Sequence, residues 1–129
     1  MSVPPLPAPL VLIIDDDEAI RVLSQWIVQR AGYRAITARD GPEGIELVKV
    51  HGSDISLVLL DLTMPRMGGG EVAAELQRMG FPAPVVLVTG YGEEGLREDE
   101  RCGVAGVLQK PFSPDILRAA VGKYLKRTA

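Results

Sequence analysis

Asp15 and Asp16, Asp61, Thr89 and Lys110 each stand directly after a short, largely apolar run. Carboxylates brought together repel one another unless they are protonated or neutralised by a cation. An oxygen-only donor set with room for water suits magnesium. A lysine adds a point charge able to hold a phosphoryl oxygen, and a threonine adds a hydroxyl donor. Metal, lysine, hydroxyl and carboxylate oxygen are the parts that phosphoryl transfer onto an aspartate needs, because catalysis there is mostly positioning and charge neutralisation. Asp61 is the expected nucleophile. Capping a turn would explain Asp61 alone, and capping a helix one of Asp15 to Asp17, but neither explains the set.

For these residues to meet, the apolar runs must be neighbouring strands. Leu57 to Leu60 is continuous and apolar, and the chain breaks after Asp61 into a loop through Pro65 and three consecutive glycines. Such a run, closed by turn residues, reads as a strand buried on both faces of a parallel sheet. Residues 10–14, 33–38, 85–88 and 104–109 read as the other four strands. Between them lie helical patterns. In the first, Ile20, Leu23, Ile27 and Ala31 define the core face and Gly32 the stop. Asp40 with Glu43 is a capping-box pattern opening a second helix that runs to about His51 and stops at Gly52. A third spans 70–79 with Val72, Ala73 and Leu76 inward. A short, mobile fourth is expected over 92–102, where charge dominates and Leu96 is the one large apolar residue. Ser113 caps the last, with Pro114 at its first position and Ile116, Leu117, Ala120, Val121 and Tyr124 toward the core.

Strands alternating with helices give a doubly wound α/β fold, a three-layer sandwich around a five-stranded parallel sheet in the order 2-1-3-4-5. In such sheets ligands bind at the carboxyl ends of the strands, beside the first and third. All the residues named above fall on that edge.

Composition narrows the function. With 129 residues the chain holds one domain, expected over 10–127 behind a proline-rich leader or linker at 1–9. A net charge of -3 argues against direct nucleic-acid binding. A single cysteine, Cys102, excludes an internal disulfide and fits a reducing compartment. No segment approaches the ~18 apolar residues of a membrane span, so a cytoplasmic protein is expected. His51 has no ligand-spaced partners and reads as a solvated helix end.

The five residues in this order, with DLTMPRMGG around Asp61 and Pro111 after Lys110, resemble the receiver domain of two-component response regulators, from about Leu10 to Arg127. The resemblance implies the flavodoxin-like fold of that superfamily. It implies Asp61 as phosphoacceptor and, with the acidic pair Asp15 and Asp16, as a ligand of magnesium or manganese, Thr89 as the switch hydroxyl and Lys110 as the family's lysine. The backbone carbonyl of Thr63 completes the metal site, and the peptide before Pro111 is cis. The implied partners are a histidine kinase or histidine phosphotransfer domain and a downstream protein target. Such a domain catalyses its own phosphorylation and dephosphorylation without being a conventional enzyme. A haloacid-dehalogenase-like phosphatase would need a second aspartate where Thr63 stands, and a degenerate receiver acting only as an interaction module would lack one of the five residues.

Three further expectations concern the surroundings. Where many receivers carry an aromatic switch residue on the fifth strand, Val107 stands here. Tyr91, two residues past Thr89, is placed to overhang the phosphoryl group and slow its hydrolysis. On the first helix Val22 and Trp26 point away from the core, beside the acidic cluster, and are expected to help dock the phosphodonor. A transcription factor would carry an output domain, so a stand-alone receiver or one from a hybrid sensor kinase is expected.

Overall fold

The computed structural model describes residues 7–90 and 103–126. Five parallel strands, β1 (Leu10–Ile14), β2 (Arg34–Ala38), β3 (Ile55–Asp61), β4 (Val85–Thr89) and β5 (Gly106–Gln109), form one sheet in the order β2-β1-β3-β4-β5. The helices are α1 (Glu18–Arg30), α2 (Gly41–His51), α3 (Gly69–Arg78) and α4 (Pro114–Lys126), with a 3-10 turn at Gly52–Asp54. Fold class and strand order are those read from the sequence. The helix expected over 92–102 lies outside the described residues, as does Tyr91.

The uninterrupted apolar runs follow from burial on both faces. Successive side chains of a strand point to opposite sides. Leu10, Leu12 and Ile14 of β1, with Val58 and Leu60 of β3 and Leu87 of β4, pack on Val48 of α2 and Val72, Ala73 and Leu76 of α3. Val11 and Ile13, with Leu57, Leu59, Val86, Val88 and Leu108, pack on Ile27 and Val28 of α1 and Leu117, Val121 and Tyr124 of α4. Each face thus has its own core, and on the three central strands the one polar residue ahead of the strand ends is the half-buried Ser56 at the start of β3. Polar chemistry is confined to the strand ends for that reason.

Local signals set the boundaries. Asp17 caps α1, its carboxylate accepting from the backbone N–H groups of Ala19 and Ile20 at 2.9 and 3.2 Å. Asp40 caps α2 through the Glu43 N–H at 2.8 Å, and the Glu43 carboxylate reaches back to the N–H of Arg39, one residue beyond the usual capping-box partner. At the end of α1, the Gly32 N–H bonds the Gln29 carbonyl and the Tyr33 N–H bonds that of Val28, with Gly32 at φ 97°. This is a Schellman motif, and the left-handed residue it needs is the glycine. Gly80 ends α3 in the same way.

Several boundaries and two inward faces differ from expectation. β2 begins at Arg34 and β5 only at Gly106, and two of the three glycines after β3 are already helical, α3 starting at Gly69. Leu23 is not a core residue: it is 40% exposed, whereas Ser24, Ile27 and Val28 are buried. The small Ser24 lets α1 sit close to the sheet along the line Ile20, Ser24, Ile27, Ala31, and that rotation turns Leu23 outward. Ile116, 54% exposed, is likewise off the inner line Leu117, Val121, Tyr124 that repeats at i, i+4, i+7.

Candidate functional site

Asp61 is the last residue of β3 and Thr89 the last of β4, while Asp15 and Lys110 follow β1 and β5 by one residue. Asp15, Asp61 and Thr89 are buried, and Asp16 is exposed. The topology brings β1 and β3 side by side, so the carboxylates of Asp15, Asp16 and Asp61 each offer an oxygen within 4.8 Å of the others. The Lys110 ammonium reaches into this cluster, donating to Asp15 Oδ2 at 3.1 Å and Asp61 Oδ1 at 3.3 Å. Four of the five expected residues therefore meet in one cluster, and Thr89 stands at the same sheet edge as the last residue of β4.

The backbone holds this arrangement from several directions. The Asp15 N–H bonds Ala38 O at 3.1 Å, and the Leu62 N–H bonds Val88 O at 2.9 Å, extending the sheet past the strand ends. The Lys110 N–H bonds Thr89 O at 2.6 Å, so lysine and threonine are tied through their main chains. Lys110–Pro111 is cis, as the resemblance implies. Gly69 lies against the chain leaving β3: a Cβ there would stand 2.8 Å from Leu62 Cα, which is backbone and cannot swing aside. Arg21 donates to the carbonyl of Asp15 at 2.8 Å and locks the turn that presents the acidic pair. Sequence reading missed Arg21, since an arginine one turn into a helix carries no signal of which carbonyl it will reach.

The electrostatics are those of a site short of positive charge. Burial pushes the Asp61 carboxyl up to about 7, the neighbouring Asp15 charge and a hydrogen bond with Asp16 add to this, and Lys110 offsets only part of it. Burial lowers the Lys110 pKa, but the hydrogen bond to Asp15 and the charges of Asp15 and Asp61 outweigh it, so the ammonium is held above its ordinary value. A set of carboxylate oxygens, with one member unable to ionise fully for want of a counter-charge, fits a hard divalent cation.

Thr63 is exposed in the loop after β3. Val107 pairs with Leu87 and packs, half-buried, on the core beneath α2 and α3. Val22 and Trp26 are 60% and 52% exposed, and the Arg30 guanidinium lies over the Trp26 ring, 5.1 Å from its centroid. The outward direction expected for both side chains is the one observed.

A doubly wound sheet with an acidic cluster and a lysine at its switch point defines a phosphoacceptor type of α/β module. Residues 11–122 match the family model described as the response regulator receiver domain, and the chain belongs to that family. It is 34% identical over 116 residues to sporulation initiation phosphotransferase F of Bacillus subtilis, covering 89% of this chain and 92% of that protein. It is 33% identical over 123 residues to the alkaline phosphatase synthesis transcriptional regulatory protein PhoP of the same organism, covering 92% of this chain and 49% of that protein, so it spans about half of that relative's length. Among solved structures, the Thermotoga maritima response regulator TrrA, in complex with Mg2+ and BeF, superposes with a TM-score of 0.77 at 30% identity, covering 90% of this chain and 98% of that one. Family membership makes the domain a phosphoacceptor module of two-component signalling.

Proposed function

We propose that Asp61 takes a phosphoryl group from a phosphohistidine donor protein, or from a small acyl phosphate, in a magnesium-dependent step, and that the phosphorylated domain changes its contacts with a partner. The observation that carries this reading is Lys110 bridging Asp15 and Asp61 within a three-carboxylate cluster. Asp15, Asp16 and Asp61, with the Thr63 carbonyl, would hold the ion, which when bound would neutralise the carboxylates and the incoming phosphoryl oxygens. Asp61 supplies the attacking oxygen. Lys110, already aimed at that oxygen, shifts its ammonium onto a phosphoryl oxygen as charge arrives, and the Thr89 hydroxyl takes another. Val107 offers no aromatic rotamer, so phosphorylation is reported by another element or by the docking of the partner itself.

Intact-mass measurement after incubation with acetyl phosphate and magnesium should show one added phosphoryl group, and none when a chelator replaces the magnesium. Equal labelling with and without metal would contradict the magnesium requirement.

The donor docks on α1. Val22, Leu23 and Trp26 line an open apolar groove with Ala19, and Leu23 continues it into a second groove with Ile20, Pro111 and Phe112 beside Lys110. This strip leads from an exposed tryptophan to the phosphorylation site, which suits a helix carrying the phosphohistidine; aromatic anchors of this kind dominate interface energetics. In Trp26→Ala, phosphotransfer from the cognate histidine donor should fall by roughly ten-fold or more. Labelling by acetyl phosphate, which needs no docking, should hold. Equal loss by both routes would place Trp26 in folding instead.

The receiver proper is taken to run over 10–127, with 1–9 a leader or linker. Supporting this, the carbonyls of Ala8 and Pro9 accept from Arg34 at the start of the edge strand β2, and the core begins at Leu10. No described helix is long and apolar enough to cross a membrane; with the single cysteine this supports a cytoplasmic site of action. The domain acts through a protein target, its net charge of -3 being ill suited to direct nucleic-acid contact.

A further inference from the structure

Three arginines ring the acidic site on the side away from the docking strip. Arg21 of α1, Arg39 after β2 and Arg66 after β3 line one open groove of about 440 Å³ with Asp16, Asp40 and Pro65. Three elements distant in sequence thus converge with three guanidinium groups against two carboxylates, and Asp40 is already engaged as the cap of α2. Arg21 is committed to the Asp15 carbonyl. Arg39 makes only a solvent-exposed pair with Glu43 at 3.6 Å, a contact too weak and too screened to hold the guanidinium in place. The Arg66 side chain makes no hydrogen bond or ion pair with any described residue, and its backbone sits in the left-handed region at φ 69°. A bulky non-glycine residue held there is uncommon. In an acidic protein, next to a carboxylate cluster, such a cationic rim faces an anion that is not part of the chain.

We propose that Arg39 and Arg66 select small phosphodonors whose leaving group is a carboxylate, by holding that carboxylate as it departs. The proposal rests on Asp61 being the phosphoacceptor. In the step, an Asp61 carboxylate oxygen forms a bond to phosphorus and the bond from phosphorus to the acyl oxygen breaks. The electron pair of that bond stays on the departing acid, which leaves as a carboxylate, and no proton is needed. The attacking oxygen and the leaving oxygen lie on opposite sides of phosphorus. With Asp61 buried and Asp16 exposed at the groove wall, the leaving group departs outward, where the groove opens. Negative charge grows on it during the step, and guanidinium groups beside it are bidentate partners for a carboxylate. Phosphoramidate, which leaves as neutral ammonia after gaining a proton, has no such charge for the rim to hold.

The two donors form the test. In Arg39→Gln/Arg66→Gln, the second-order rate constant of phosphorylation by acetyl phosphate should fall by roughly ten-fold at low ionic strength, and the deficit should shrink as salt is added. Phosphorylation by phosphoramidate should change by less than about two-fold. A fall of equal size with both donors would assign the arginines to the phosphoryl group or the metal site and overturn the proposal, as would no change with either. Should the parent chain itself be labelled by neither donor, the phosphoacceptor reading fails first, and the two failures are told apart by that control.

Discussion

In metal-free buffer at pH 8, Asp61→Asn should be more stable than the parent chain by roughly 2–4 kcal/mol. The Asp61 carboxyl ionises at its ordinary value of 3.8 in the unfolded chain but is pushed up to about 7 in the folded one. Between those values the folded state binds the extra proton, so stability falls as pH rises through that window, and the full penalty is in force above the folded value. Asparagine keeps the shape and a polar tip and never ionises. Its advantage should therefore shrink steadily as pH is lowered from 7 toward 4. Saturating magnesium should also shrink it, because the ion binds the ionised parent and leaves the variant with one ligand fewer. Urea unfolding at a series of pH values, with and without magnesium, reads all three effects. A variant less stable than the parent at pH 8, or an advantage that ignores pH, would show that burial of the Asp61 charge beside Asp15 is not what shapes this edge.

The second large effect concerns Lys110. Its ammonium is within 3.3 Å of Asp61 Oδ1 and 3.1 Å of Asp15 Oδ2, on a backbone tied to Thr89. Lys110→Ala should slow phosphorylation by acetyl phosphate by roughly 10²–10³-fold at saturating magnesium, the usual consequence of removing a preorganised charge from a developing phosphoryl centre. Lys110→Arg should recover only part of this, since a planar guanidinium cannot take the place of a compact ammonium between two carboxylates. Rates of the alanine variant within about three-fold of the parent would remove Lys110 from the chemistry.

Why the chain was so legible follows from the same burial. Strands packed on both faces leave little room for polar residues, so the first aspartate, threonine or lysine after each apolar run marks a strand end, and a parallel sheet brings those ends together. Asp17, Asp40 and Gly32 announce helix ends because orphaned N–H groups and left-handed turns demand their residue types. Helix faces were less legible. Leu23 and Ile116 fit an apolar stripe by spacing, yet the rotation of α1 is set by how closely Ser24 lets it approach the sheet, and that of α4 by the line Leu117, Val121, Tyr124. The arginine rim was illegible for another reason: Arg21, Arg39 and Arg66 lie on three loops and helices whose convergence depends on strand order, and no local pattern links them.

The most direct test of the phosphoacceptor reading locates the phosphoryl group by bond chemistry and by position at once. The chain is labelled with acetyl phosphate and magnesium and divided. One portion is treated with hydroxylamine, which cleaves acyl phosphates and leaves phosphate esters intact. The other is reduced with borohydride, which converts only an acyl phosphate to an alcohol, and is mapped by peptide mass spectrometry. Complete loss of label in the first portion, with reduction confined to Asp61 in the second, is the predicted result. Label that survives hydroxylamine, or reduction mapped to Asp15 or Asp16 with Asp61 untouched, would contradict it.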